Sequence, residues 1–197
     1  MALNNAFVGI TGASGAPYAV RLIEALVENG VFVEICASAM GEKVLAYETG
    51  GLSTKKLAES YGVKRYAPDD LFAPPASGTS VPEATVVAPA SVSTVGNIAN
   101  GTGTNLIHRV ADVVLKERKK LILVPRETPY SEIHLKNLLA LTRMGALVLP
   151  ASPSFYGKPK SVRELLDTVI GRLLDQLDLP HALTRRWGEP TQREKAR

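Results

Sequence analysis

The sequence predicts an α/β domain on a doubly wound parallel sheet, and three observations carry that prediction. Short apolar runs alternate with longer stretches of helical periodicity, the order produced by right-handed strand–helix–strand units. The apolar runs show little in-and-out alternation, as strands covered on both faces do. The 197 residues are 45% hydrophobic, which suits one domain with a substantial core.

The first strand is expected at 6–11 and leads into Gly12-Ala13-Ser14-Gly15. Gly12 and Gly15 let the backbone turn sharply, and Pro17 opens a helix over 17–28. Free N–H groups and the positive end of a helix dipole then meet at the strand tip. That makes an anion site for a nucleotide phosphate, with the Ser14 hydroxyl beside it. The spacing fits neither G-x-G-x-x-G nor a G-K-[ST] loop, and a tight strand-to-helix turn alone would also explain it. The second strand, 31–36, holds the one cysteine, Cys36, which reads as a small buried hydrophobe in a reducing, cytoplasmic setting. Ser38 follows, and then a helix over 39–49.

The stretch 73–82, Ala-Pro-Pro-Ala-Ser-Gly-Thr-Ser-Val-Pro, is too rich in Pro, Gly and Ser for regular structure and reads as a loop. Strand 84–88 runs into Pro89-Ala90-Ser91-Val92-Ser93-Thr94, where Ser91 is suited to cap a helix over 92–100. A helix over 105–117 carries Arg109 and Lys116, seven apart and therefore on one side. Strand 121–125 ends in Pro125-Arg126-Glu127-Thr128-Pro129, whose prolines hold the backbone firmly. Arg126 suits a phosphate or an electron-rich carbonyl. Glu127 is a candidate general acid/base. Standing alone, the two would be a surface ion pair.

A helix over 132–144 precedes the fifth strand, 146–149, and a Ser- and Pro-rich segment with Phe155 and Tyr156. The last helix, 161–177, shows the clearest stripe: Val162, Leu165, Leu166, Val169, Ile170, Leu173, Leu174 and Leu177. Arg172 flanks it. Neither a repeat nor a second domain is evident, so the chain reads as one domain over 1–197 with a tail from about 184. From Arg185 onward the tail holds five basic and two acidic residues, a net +3 of the chain's +4. Without an aromatic-rich basic face this is a solvated tail and not a nucleic-acid arm. Trp187, the one tryptophan, is suited to packing on a partner subunit or its own surface, or to walling an apolar ligand. No apolar run reaches about 18 residues, so no membrane span is expected. The start, Met-Ala-Leu-Asn-Asn, lacks the charged region of a signal peptide.

Ligands of such a sheet bind at the carboxyl ends of its strands. All five loops there are hydroxyl-rich or charged. The hydroxyls of Ser14, Ser38, Ser91, Ser93 and Thr94, with nearby N–H groups, can surround a phosphorylated ring cofactor. Arg109, Lys116 and Arg172 add positive charge for a phosphate. The histidines His108, His134 and His181 are scattered, and no metal-ligand spacing stands out, so no metal is expected.

These residues resemble the UbiX/Pad1-type flavin prenyltransferases over nearly the whole chain, from Val8 to about Glu189. The matching stretches are Thr-Gly-Ala-Ser-Gly-Ala at 11–16, Ala-Pro-Pro-Ala-Ser-Gly at 73–78 and Asn-Leu-Ile-His-Arg-Val-Ala-Asp-Val-Val-Leu-Lys-Glu-Arg at 105–118. They continue with Leu-Val-Pro-Arg-Glu-Thr-Pro at 123–129, Phe-Tyr-Gly-Lys-Pro at 155–159 and Arg-Trp-Gly-Glu at 186–189. The resemblance implies a flavodoxin-like, Rossmann-type fold assembled as a homododecamer. It implies reduced FMN and dimethylallyl monophosphate as substrates, prenylated FMN as product, a bond to flavin N5 and one to C6, and a UbiD-type decarboxylase as recipient, all without a metal. Carried over, it implies that FMN is held by Gly12, Ala13 and Ser14, by Ser38, by Ser91, Val92, Ser93 and Thr94, and by Arg126. The prenyl phosphate would meet Ser14, Arg109, Lys116, Glu127, Tyr156 and Arg172. Glu127 would shuttle protons and Trp187 would help enclose the prenyl chain. Sites of this family form between subunits, so the Ser77-Gly78 loop is expected to serve a neighbour. Lys158 and Lys160 are local departures beside Tyr156.

Two other readings compete. A flavin-dependent decarboxylase of peptidyl or pantothenoyl cysteine, from a related branch, shares the Pro-Ala-Ser loop but normally has Asn where Val92 stands and a catalytic His earlier than His108. A non-catalytic FMN-binding protein would keep the loops without turnover. A nicotinamide dehydrogenase is disfavoured, because the dinucleotide fingerprint and its ribose-binding acid are missing.

Overall fold

Side chains along the central strands alternate between two cores: Val8 and Ile10 face one, Phe7 the other. The computed structural model describes residues 3–184. In chain order the elements are β1 (Asn5–Ile10), α1 (Ala16–Glu28), β2 (Phe32–Ala37), α2 (Ala39–Glu48), α3 (Thr54–Tyr61) and β3 (Lys64–Tyr66). After a 3₁₀ turn (Pro74–Ala76) come β4 (Ala84–Ala90), α4 (Val92–Ala99), α5 (Leu106–Lys116), β5 (Lys120–Pro125), α6 (Glu132–Arg143), β6 (Leu147–Val148) and α7 (Val162–Gln176). The sheet has six strands in the order β3-β2-β1-β4-β5-β6, all parallel, with Val8 opposite Ile35 on one side and Val86 on the other. This is the Rossmann-type order, and without the three-residue edge strand β3 the other five strands follow the flavodoxin-like order.

Each helix buries one stripe on one face of the sheet. Leu22, Ile23 and Leu26 of α1 pack with Ile170, Leu173 and Leu174 of α7 over Val8, Ile35 and Val86. Leu106, Ile107, Val110 and Val114 of α5 pack with Val95 and Ile98 of α4 against Phe7, Val87 and Leu123. Burial of each such side chain stabilises by roughly 1.5–3 kcal/mol relative to exposure. Cys36 is wholly buried, and desolvation pushes its thiol up to about 12, so it behaves as the small hydrophobe expected. Among the described residues no helix is long and apolar enough to cross a membrane.

Four elements depart from the expectations. Helix α3 and strand β3 lie where no regular structure was expected. Their sequences, TKKLAESY and KRY, are mostly polar, and only Thr54 and Leu57 are buried; β3 is a three-residue edge strand, and basic residues are what keep such an edge from pairing with another chain. The Pro-rich loop holds the 3₁₀ turn, whose buried Pro75 and Ala76 sit under α5. Strand β4 runs on to Ala90, past the expected end, through a register shift between Val87 and Ala90.

Candidate functional site

The strand order reverses between β1 and β4, so the loops after these strands diverge and leave a crevice at their carboxyl ends. Thr11 ties the two loops together. Its hydroxyl donates to the Pro89 carbonyl at 2.6 Å and accepts the Ser91 N–H at 2.8 Å. Ser91 caps α4, accepting the Thr94 N–H at 3.2 Å and donating to the Thr94 hydroxyl at 3.1 Å. Val92 and Ser93 form the first turn of α4, with Ser93 exposed. Ser38 caps α2 in the same way, accepting the Gly41 N–H at 3.0 Å. Helix α2 lies so close to β1 that a side-chain carbon on Gly41 would stand 2.3 Å from the Ile10 carbonyl oxygen.

The anion position at the start of α1 is taken by the chain itself. Glu48, the last residue of α2, accepts the N–H groups of Gly15 and Ala16 at 2.8 Å each, and the Ser14 hydroxyl also bonds it. Burial alone would raise this carboxyl. Those hydrogen bonds and the nearby Arg126 charge together outweigh burial and hold it below the usual carboxylate range. A phosphate on these two N–H groups, as the first loop suggested, would have to displace Glu48. Just after β5, Arg126 reaches across and donates from Nε to the Ser14 carbonyl at 2.9 Å. Gly12, Ser14, Glu48 and Arg126, with Lys43, Val44 and Tyr47 of α2, line a pocket of about 480 Å³. Ala13, between two of the lining residues, is buried. Glu127 stands next along the chain, its Oε1 accepting the Thr128 N–H at 3.0 Å.

Sequence reasoning missed Glu48 and Thr11. One signal for Glu48 was available: a carboxylate at the last helical position opposes the helix dipole, and such local misplacements gather at functional sites. Thr11 carried no signal beyond its place at a strand end.

The remaining candidates are not brought together within one chain. Arg109 and Lys116 belong to α5, on one face of the sheet, and Arg172 belongs to α7, on the other. Arg109 donates to the Ala76 carbonyl at 3.3 Å and pairs with Asp112 at 3.2 Å. Lys116 pairs with Glu117 at 2.8 Å, and both stand close beside Gly78, so the Ser77-Gly78 loop adjoins its own chain's cations. Arg172 pairs with Asp175 at 3.0 Å. Tyr156 is 83% exposed. Trp187 lies outside the described residues. His108 is buried and accepts the Thr104 N–H on Nδ1, bracing the start of α5.

Comparison with known proteins gives concordant results. The Flavoprotein family model matches residues 3–174. The flavin prenyltransferase UbiX of Pseudomonas aeruginosa is 43% identical over 194 residues, covering 92% of this chain and 93% of that one. A crystal structure of AnUbiX (PadA1) in complex with FMN and dimethylallyl pyrophosphate superposes with a TM-score of 0.91 at 36% identity, covering 96% of this chain and all of that one. A dodecameric FMN-dependent UbiX-like decarboxylase from Escherichia coli gives 0.89 at 40% identity, over 94% of this chain and all of that one.

Proposed function

Since the chain belongs to the Flavoprotein family and, within it, to the UbiX-type flavin prenyltransferases, we propose that it transfers the dimethylallyl group of dimethylallyl monophosphate to N5 and C6 of reduced FMN. The product is prenylated FMN, for a UbiD-type decarboxylase, and the working form is a homododecamer in the cytoplasm, a setting that the buried thiol of Cys36 supports. The observation that carries this reading is the meeting of Ser14, Glu48 and Arg126 at the mouth of the crevice. The lining fits a flat, anionic ring system. Tyr47 and Val44 offer aromatic and apolar wall, Lys43 and Arg126 positive charge, and Ser14 a hydroxyl.

In this reading Gly12, Ala13, Ser14, Ser38, the run from Ser91 to Thr94 and Arg126 hold FMN, whose reduced ring supplies the nucleophilic positions. Arg109, Lys116, Tyr156 and Arg172, with Ser14 and Glu127, hold the prenyl phosphate. The allylic C–O bond breaks with its electron pair leaving on the phosphate. Fixed cationic side chains stabilise that charge without the reorganisation water would need. Glu127 moves a proton to the departing phosphate and takes one from the ring carbon. Trp187 and the flavin-side walls keep water from the five-carbon cation. The test is anaerobic incubation of the protein with reduced FMN and dimethylallyl monophosphate, followed by mass spectrometry. A flavin heavier by one five-carbon unit is expected; folded protein that binds FMN and yields none overturns the reading.

A further inference from the structure

Arg172 does not stand alone on α7. Its Nη1 meets Asp175 Oδ2 at 3.0 Å, one turn along the helix. The other oxygen of the same carboxylate, Oδ1, lies 3.1 Å from His181 Nε2. His181 is nearly sealed, with its side chain 4% exposed. Its Nδ1 lies 3.3 Å from the Leu183 N–H and accepts it, so the ring's one proton sits on Nε2 and points at Asp175. The ring is wedged where α7 has no side chain: a carbon on Gly171 would stand 3.0 Å from His181 Cε1 and 2.9 Å from Thr184 Oγ1. One carboxylate thus joins an exposed arginine to a buried imidazole in the segment that leads, three residues after Thr184, to Trp187.

The arrangement is more than a surface ion pair. A lone Arg–Asp pair at this spacing on an exposed helix contributes little, because both chains stay free to rotate. Here the carboxylate is fixed from behind by a sealed donor, so the guanidinium is presented to solvent from a defined point. We propose that Asp175 is a positioning residue for the prenyl-phosphate end of the site. It holds Arg172 ready for the phosphate, and His181 holds Asp175. The carboxylate bonds one edge of the guanidinium, and a guanidinium carries five N–H donors, so Nη2 and its outer edge stay available to a phosphate. The proposal rests on the reading of Arg172 given under Proposed function.

The test measures KM for dimethylallyl monophosphate, KM for FMN and kcat in the full-length enzyme carrying R172A, D175N, H181L or H181Q. The amide of D175N offers an N–H where Arg172 or His181 needs an acceptor. H181L removes the donor, and H181Q restores one. D175N and H181L are expected to raise KM for the prenyl phosphate roughly fivefold to tenfold, with KM for FMN and the thermal midpoint little changed. H181Q is expected to return most of the loss. In the R172A background D175N should add nothing further, because both act through one guanidinium. An unchanged or lowered prenyl-phosphate KM in D175N, while R172A raises it, overturns the proposal alone. An R172A enzyme with unchanged KM overturns the reading of Arg172 itself. A loss in D175N spread equally over both substrates and the melting temperature shows a merely structural carboxylate, and also overturns it.

Discussion

The crevice between β1 and β4 and the cationic rim on α5 and α7 differ in how much of each a single chain completes. In the crevice the groups that join its loops have partners from distant parts of the sequence: Thr11 with Pro89 and Ser91, Arg126 with Ser14, Glu48 with Gly15 and Ala16. On the rim, Arg109, Lys116 and Arg172 have side chains 48%, 61% and 64% exposed, and each pairs with an acid at most three residues away. Contacts of that local, exposed kind are worth little, save that of Arg172 with Asp175, which His181 braces from behind. The crevice is therefore a product of the monomer's fold. If Arg109, Lys116 and Arg172 act on one phosphate, as proposed, the rim becomes a site only where separate copies bring α5 and α7 together; the UbiX-like relative of 40% identity is itself dodecameric.

The sharpest way to break this comparison is to mix defective subunits. Lys116→Ala and Arg172→Ala are each expected to lower adduct formation about a hundredfold or more, since each removes fixed charge from the departing phosphate. If Lys116 and Arg172 of one site come from different chains, co-expressing the two variants rebuilds some intact sites. Random assembly would then return about a quarter of wild-type turnover. Co-purification through two different tags, followed by the mass-spectrometric assay, reads this out. Mixed oligomers as inactive as their parents would place both residues in one chain's site and end the distinction.

A smaller effect tests the crevice as a prefolded body. Gly41 has no room for a methyl group, because the neighbours in the way are the backbone atoms of Ile10 and Thr11. Gly41→Ala must push α2 off the end of β1 and carry Ser38 and Glu48 with it. A loss of about 2–3 kcal/mol is expected, read as a lower urea midpoint at unchanged slope, with weakened FMN binding. Gly30→Ala is a useful contrast, having open space around it but a φ of +74°; it should cost about 1 kcal/mol in backbone strain and leave FMN binding intact. Equal FMN affinities in the two variants would mean that α2 does not shape the crevice.

Legibility in the sequence follows the same division. Strands such as β1 and β5 announced themselves because a strand buried on both faces must be apolar throughout, and Ser91 and Ser38 because a helix N-terminus needs a small acceptor. Lys64 to Tyr66 gave no such signal, since an edge strand is designed to look unlike a strand. The loops after β1 and β4 were readable as ligand loops from their place after strands. Their joining was not, because Thr11 and Pro89 are 78 residues apart and nothing local in either records the other. The partners of Glu48 were hidden for the same reason, its place at a helix C-terminus being the one local signal it gave. Arg109, Lys116 and Arg172 stood out in the sequence only as positive charge suited to a phosphate, and a specific role for each came only from likeness to a family, because exposed charges leave no periodic trace in one chain.

The smallest expected effect concerns Glu48 and bears on whether the crevice depends on charge or on shape. Its carboxyl is held below the usual range in the folded chain, so folding favours the ionised form. The stability this supplies is complete above the ordinary carboxylate range and is lost as the pH falls through the depressed folded value. Glu48→Gln keeps an acceptor for Gly15 or Ala16 but gives up the charge that faces the α1 dipole and Arg126. At neutral pH the variant should be less stable by about 1 kcal/mol. On acidification the wild type approaches the variant, and the gap between their thermal midpoints should close. A gap that persists undiminished at about pH 3, below the usual carboxylate range, would mean that the geometry of the hydrogen bonds and not the charge organises the first loop. Ser14 would then owe its place to packing, and the crevice would stand on the same footing as any capped helix end.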